Sequence, residues 1–130
     1  MQKRLEHPLL VPIYIGLFGA IGAAVRSGIT HMFSQYSMFP VGTWIINTVG
    51  SFLLSIMFFR PSMRDAIPPT IFTAITVGGI GSFTTFSTVT VETVELFAGE
   101  PLLASVYMLG SIFTSVCACF IGYLLVKERA

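Results

Sequence analysis

Four long apolar stretches fill almost all of this 130-residue chain, and they leave it few ways to fold. The first covers residues 9–30 and is interrupted only by Arg26; the others cover 39–59, 67–97 and 101–126. The hydrocarbon core of a bilayer is about 30 Å thick, which takes about 20 residues of helix at about 1.5 Å each. The second and fourth stretches meet that length without strain, whereas the third exceeds it. Only 10% of the chain is charged and 54% is hydrophobic, where about a quarter charged is usual for a soluble domain. A soluble protein this small needs a polar shell larger than its core, and 7 basic plus 6 acidic residues cannot supply one. A water-soluble enzyme, a nucleic-acid binder and a disordered chain are thereby excluded. The expected fold is an all-α integral membrane protein: one unit, residues 1–130, with four transmembrane helices.

The third stretch contains Gly78, Gly79 and Gly81, three glycines in four residues. Glycine loosens a helix, so the sequence predicts a helix, a break at this cluster near mid-membrane, and a second helix. Lipid offers a broken backbone no hydrogen bonds, so a break must face protein, water or an ion. Ser82, Thr84, Thr85, Ser87, Thr88 and Thr90 follow at once, more hydroxyls than packing requires. The competing reading is that the glycines allow close helix packing.

With four spans, the N-terminus, the loop between spans two and three, and the C-terminus share one side. They carry Lys3, Arg4, Arg60, Arg64, Lys127 and Arg129, while the opposite loops carry no Lys or Arg unless Arg26 is counted. The bias predicts a multi-pass protein of the cell membrane with both termini in the cytoplasm. A net charge of +1 gives no surface for a polyanion. Cys117 and Cys119 are two apart, point in different directions on a helix, and read as buried, reduced thiols.

The polar residues within the spans need partners. Arg26 is either a cation snorkelling to the interface or one lining a water-filled vestibule. Thr43 and Asn47 share a helix face, and an amide at this depth either joins helices or is offered to a permeating solute. Tyr107, Ser111 and Ser115 form a stripe at steps of four, either a hydrated track or hydroxyls bonded to their own helix. Phe83 and Phe86 lie on one side after the glycines, with ring edges able to meet an anion. Glu92 and Glu95 sit where they reach the interface. No catalytic constellation is present: His7 and His31 are terminal or in a loop, and the glycine cluster lacks the Lys-Ser/Thr of a phosphate loop.

These residues fall into three ordered motifs. They read Gly19-x-x-Gly22-Ala23-x-x-Arg26, then Pro40-x-Gly42-Thr43-x-x-x-Asn47-x-x-Gly50-Ser51-Phe52. The third is Gly78-x-x-Gly81-x-x-Thr84-Thr85-Phe86-Ser87-Thr88 with Glu92 after it. In this order and at these spacings the chain resembles the small fluoride channels of the Fluc (CrcB) family over nearly its whole length. The resemblance implies an antiparallel dimer with two ion pathways that exports fluoride passively from the cytoplasm and relieves its toxicity. It implies that Asn47 contacts fluoride, that Phe86 is the first ring of an aromatic box, and that Ser87, Thr88 and Thr90 form a hydroxyl track. Tyr107, Ser111 and Ser115 resemble a second track on span four, and Arg26 the vestibule cation. Gly81 and Thr84 match positions whose backbone carbonyls, from both subunits, hold a structural sodium ion; Thr43 and Phe83 would support the pore.

One departure stands out. The family pattern continues Thr-Thr-Phe-Ser-Thr-Phe-Ser, whereas this chain reads Thr84-Thr85-Phe86-Ser87-Thr88-Val89-Thr90. Val89 replaces the second ring, and Phe83, displaced along the pore, cannot stand in for it. A homodimer also requires the same chain to insert both ways, which six cations against none disfavours. The expectation is therefore a heterodimer with a paralogue of opposite bias. A small multidrug-type exporter is the alternative, but it needs an acid in the first span, and residues 9–30 have none. A non-conducting partner subunit is the third reading.

Overall fold

A backbone in lipid must satisfy its own hydrogen bonds, and this chain does so with helices almost throughout. The computed structural model describes residues 10–34 and 38–127; Lys3, Arg4, His7 and Arg129 lie outside them. Helix α1 is Leu10–Ser34, α2 is Val41–Phe59, and a short α3, Pro61–Ala66, joins α2 to the third span. That span consists of α4 (Pro69–Thr73), a π-helical segment (Ala74–Ile80), α5 (Gly81–Phe83) and α6 (Ser87–Phe97). Helix α7, Pro101–Lys127, completes the fold. Four stretches, Leu10–Ser34, Val41–Phe59, Pro69–Phe97 and Pro101–Lys127, are long and apolar enough to cross a membrane.

The expected break at the glycine cluster is not where the helix ends. Gly78 and Gly79 lie inside the π-helical segment, and Gly81 continues it with helical dihedrals (φ −62°, ψ −37°). No described glycine has a positive φ. The glycines serve approach instead. A Cβ on Gly22 would come within 2.1 Å of the Gly79 carbonyl oxygen, and one on Gly78 within 2.5 Å of the Ile15 carbonyl oxygen. Backbone meets backbone there, the close contact that small residues permit between membrane helices.

The interruption falls three residues later, at Thr84–Phe86, where Thr84 is extended (φ −81°, ψ 155°). The hydroxyls cause it. Thr84 Oγ1 donates back to the Ile80 carbonyl at 3.2 Å and to that of Gly81 at 3.3 Å. Thr85 Oγ1 accepts the Thr88 N–H at 3.1 Å, which caps the start of α6. Threonine side chains that compete for backbone groups end helices and begin new ones.

The two halves of the third span have different neighbours. The π-helical segment and α5 pack on α1, whereas α6 packs on α7, and α7 in turn makes the most extensive packing in the fold, with α2. Helices α2 and α7 run parallel in close contact: a Cβ on Gly110 would meet the Trp44 ring at 2.5 Å, and one on Gly122 the Phe52 carbonyl at 3.0 Å. Ser55 Oγ donates to the Cys119 carbonyl at 2.6 Å, farther along the same seam. Cys117 is half-buried and Cys119 exposed, so the expectation of two buried thiols fails for Cys119. Little of any span is buried within the chain. Most of each helix is left for lipid or another subunit.

Candidate functional site

The break would strand the N–H and C=O of Thr85, and Asn47 takes both. Its Nδ2 donates to the Thr85 carbonyl at 2.8 Å, and its Oδ1 accepts the Thr85 N–H at 2.8 Å. The side-chain amide thus pairs with the peptide as a second peptide would, and one N–H of Nδ2 remains. Gly50, three residues on, brings α2 against the break, since a Cβ there would lie 2.1 Å from Thr84 Cγ2. Of the two readings of Asn47, the interhelical bond is the one its geometry displays.

Beside this pair lies a groove of about 500 Å³ between α2, the break and α7. Asn47, Ser51, Thr84, Thr85, Ser111 and Ser115 give it a polar lining, and Gly81, Phe86, Val89, Ile112 and Val116 complete its wall. Ser111 is buried and Ser115 half-buried. Phe86 is 66% exposed and stands at the rim, while Val89, 3% exposed, belongs both to the wall and to a core cluster with Leu96, Ala104 and Tyr107. The position where the resemblance leads one to expect a second ring is thus a filled, small-residue wall.

The structure gathers Asn47, Phe86, Ser111, Ser115, Gly81 and Thr84 around one groove. It does not bring Ser87, Thr88 and Thr90 into it. Ser87 and Thr90 are exposed, and the Thr90 hydroxyl donates to the Phe86 carbonyl at 3.1 Å. Thr88 Oγ1 accepts from Thr85 Oγ1 at 2.9 Å. Phe83 packs beside Gly50, where a Cβ would come within 3.4 Å of its ring. Arg26 sits half-exposed on α1, away from the groove lining. Within the stripe on α7, Ser111 and Ser115 line the groove, but Tyr107 does not.

Tyr107 is fully buried, edge-on to Phe39 at 5.4 Å between ring centroids. Its hydroxyl donates to Glu92 Oε2 at 2.5 Å, and Thr43 Oγ1 donates to Glu92 Oε1 at 2.8 Å. Glu92 therefore does not reach outward as its sequence position suggested; it is half-buried and turned between α2 and α7, while Glu95 is exposed. A carboxylate in low dielectric requires donors on its oxygens, and two hydroxyls from two other helices provide them. Glu92 also borders a smaller cavity of about 190 Å³ at the far end of the bundle, with Thr30, Ser34 and Glu95. Tyr107→Phe is expected to cost about 1–3 kcal/mol by leaving Oε2 without its donor, read as a lower unfolding midpoint in detergent, while Thr43→Ser, which keeps a hydroxyl, leaves the midpoint within about 0.5 kcal/mol.

Sequence reasoning missed Trp44 and Thr114, which tie α2 to α7 behind the groove. Trp44 Nε1 donates to Thr114 Oγ1 at 2.8 Å, and Thr48 Oγ1 lies 3.2 Å from the same oxygen. The signal was present as an indole N–H at Trp44 and a hydroxyl four residues on at Thr48, both on α2, but it required knowing that this face meets Thr114 on α7. No buried side-chain nitrogen or oxygen lacks a partner among the described residues.

The chain is similar to known proteins over nearly its whole length. The profile of the family described as CrcB-like protein, Camphor Resistance (CrcB), matches residues 13–123. A "Fluoride-specific ion channel FluC 2" from Geobacillus kaustophilus is 44% identical over 120 residues, 88% of this chain and 91% of that one. A "Fluoride-specific ion channel FluC" from Thermosipho melanesiensis is 37% identical over 90% of this chain and 96% of its own length. "Fluoride-specific ion channel FluC 1" from Bacillus cereus is 40% identical over 89% of this chain and 87% of its own. With its four apolar helices, this is a multi-pass membrane protein, and it belongs to the CrcB family.

Proposed function

We propose that this chain is a subunit of a fluoride-selective channel, not an enzyme, that lets fluoride leave the cell passively. The groove carries the reading: its lining combines hydroxyls and an amide N–H with apolar side chains. Fluoride is small and tightly hydrated, so it needs close donors to replace its water, and a tight apolar wall rejects larger halides. Relatives spanning nearly the same length carry the name fluoride-specific ion channel. Fluoride enters acidified cells as neutral HF and dissociates inside. The membrane potential then drives the anion out at about 2.3 kcal/mol per charge per 100 mV.

In this reading Asn47, Ser111 and Ser115 contact the ion, and Phe86 guards the rim. Ser87, Thr88, Thr90 and Tyr107 act in the path only if a second subunit or a rotamer change brings them to it. Arg26 draws anions toward the mouth. The exposed faces of the spans accommodate a second, antiparallel copy. A sodium ion between the two copies fits the donors available: Gly81 is exposed, and the Thr84 carbonyl accepts no hydrogen bond among the described residues. Carbonyl oxygens suit a hard cation; such an ion would hold the two breaks together.

The partner in this reading is a paralogue and not a second identical chain. Val89 in place of a ring and the six-to-none charge bias support that choice, as does the occurrence of numbered relatives, FluC 1 and FluC 2. Both termini then face the cytoplasm. Liposomes containing the purified chain test the whole reading with a fluoride electrode. Fluoride efflux above chloride efflux is expected. The chain alone should run at no more than about a tenth of the rate reached with an oppositely biased paralogue, a barrier difference of about 1.4 kcal/mol. Full-rate flux from the chain alone would rule out the heterodimer, and silence in every combination would leave the non-conducting subunit.

A further inference from the structure

The ends of α2 and α7 meet, with α3 following α2 directly, in an arrangement that conduction does not use. The Phe59 ring stands edge-on to Tyr123 at 4.9 Å between centroids, and the Lys127 ammonium lies over the Tyr123 ring at 5.9 Å. Phe120 lies 6.4 Å from Tyr123 on the outer face of α7. Arg60 follows Phe59 directly, and Arg64 lies one turn further on, its N–H bonded to the Arg60 carbonyl at 3.2 Å. Arg60 precedes α3 in an extended conformation (φ −93°, ψ 103°) and Arg64 lies on the helix, so both cations leave the same short segment. Met63 and Ile67 are the half-buried positions that lay α3 against the bundle, while Arg60 and Arg64 are exposed. Arg60 Nε donates to Ser62 Oγ at 3.2 Å, which orients the side chain along α3 and leaves its remaining N–H groups unused. Asp65, the acid on α3, is already engaged.

Aromatic rings at the end of a span mark the interface between hydrocarbon and headgroups. Three cations immediately beyond that girdle lie at phosphate depth. Arginine pairs recognise phosphate bidentately, and lysine adds a point charge. We propose that Arg60, Arg64 and Lys127 form a binding site for the phosphate of an anionic phospholipid such as phosphatidylglycerol in the adjoining leaflet. The Phe59, Phe120 and Tyr123 rings line its acyl side. The site is independent of which ion the groove conducts.

Native mass spectrometry of the detergent-solubilised protein, with phosphatidylglycerol or phosphatidylcholine added, tests it. The native chain should retain phosphatidylglycerol over phosphatidylcholine. Each cation near an anionic surface is worth roughly a fivefold change in affinity. Arg60→Gln with Arg64→Gln should therefore lower phosphatidylglycerol retention by roughly twenty-fivefold and leave phosphatidylcholine unchanged. Arg60→Lys with Arg64→Lys keeps the charge but not the fork, and should fall between. All three side chains are exposed, so an unchanged unfolding midpoint and elution volume will accompany each result. Equal retention of the two lipids by the native chain would overturn the proposal. So would undiminished phosphatidylglycerol binding by the double glutamine variant. Displacement of the lipid by inorganic phosphate at equal concentration would also overturn it, because the site would then be one for a free anion.

Discussion

Asn47→Ala is expected to abolish fluoride flux and to lower the unfolding midpoint in the same preparation. The substitution removes both partners of Thr85, the 2.8 Å bonds that its N–H and C=O make with the amide. A buried backbone group left unpaired costs about 1–3 kcal/mol, and no lipid can replace the lost bond. A penalty of about 3 kcal/mol shifts the equilibrium of the break away from its native geometry by about a hundredfold, so flux should fall by up to that factor. Asn47→Asp separates the two bonds. It keeps an acceptor for the N–H but faces the Thr85 carbonyl with oxygen instead of a donor, and it should be nearly as damaging as alanine. Liposome efflux and thermal unfolding, measured together, decide the matter. If flux falls while the midpoint of Asn47→Ala stays at the native value, the amide serves the ion alone and does not hold the break.

Gly22→Ala should be the most destabilising single methyl group that can be added to α1. Alanine in place of glycine within a helix ordinarily stabilises by about 1 kcal/mol, so the sign of the result is diagnostic. Here the new Cβ would lie 2.1 Å from the Gly79 carbonyl oxygen and 3.2 Å from the Phe83 nitrogen. Backbone cannot swing aside as a flexible side chain can, so α1 must separate from the π-helical segment. Overpacking a tight contact costs about 1–3 kcal/mol and at times more; the upper end is expected, with loss of folded protein on size-exclusion chromatography. Gly99→Ala is the comparison, since nothing lies within 4 Å of its Cβ, and it should stay within about 0.5 kcal/mol of the native chain. A neutral Gly22→Ala would mean that α1 and the third span do not meet as described.

The four spans were legible because apolar length is a one-dimensional property, and the bilayer imposes one length scale. The interruption of the third span was legible as an event but not as a position. Three glycines in four residues look like the weak point, yet helix geometry survives through all of them, because α1 packs on the segment from outside. The hydroxyls of Thr84 and Thr85, which looked like occupants of the break, are what make it. Asn47 was singled out for the right reason, a lone amide that needs a partner, though the partner turned out to be a peptide. Glu92 was misplaced because sequence position gives depth along a helix but not the face. Only the parallel packing of α2 on α7 brings Thr43 and Tyr107 to its two oxygens. Ser87 and Thr90 fall outside the groove for a related reason: restarting the helix at Ser87 resets which way each residue points.

The third span leaves α1 at Phe83 and joins α7 at Ser87, with Thr84–Phe86 between. That crossing divides the synthesis of the protein unevenly. Helix α1 is made first, but the segment against which it packs is made only after α2 and α3. The partner of α6 is made last of all. Until α7 arrives, α2 lacks its most extensive contact and Glu92 lacks the Tyr107 hydroxyl. Ser111, Ile112, Ser115 and Val116 of α7 form one wall of the groove, so the groove takes its shape only when the last helix is in place.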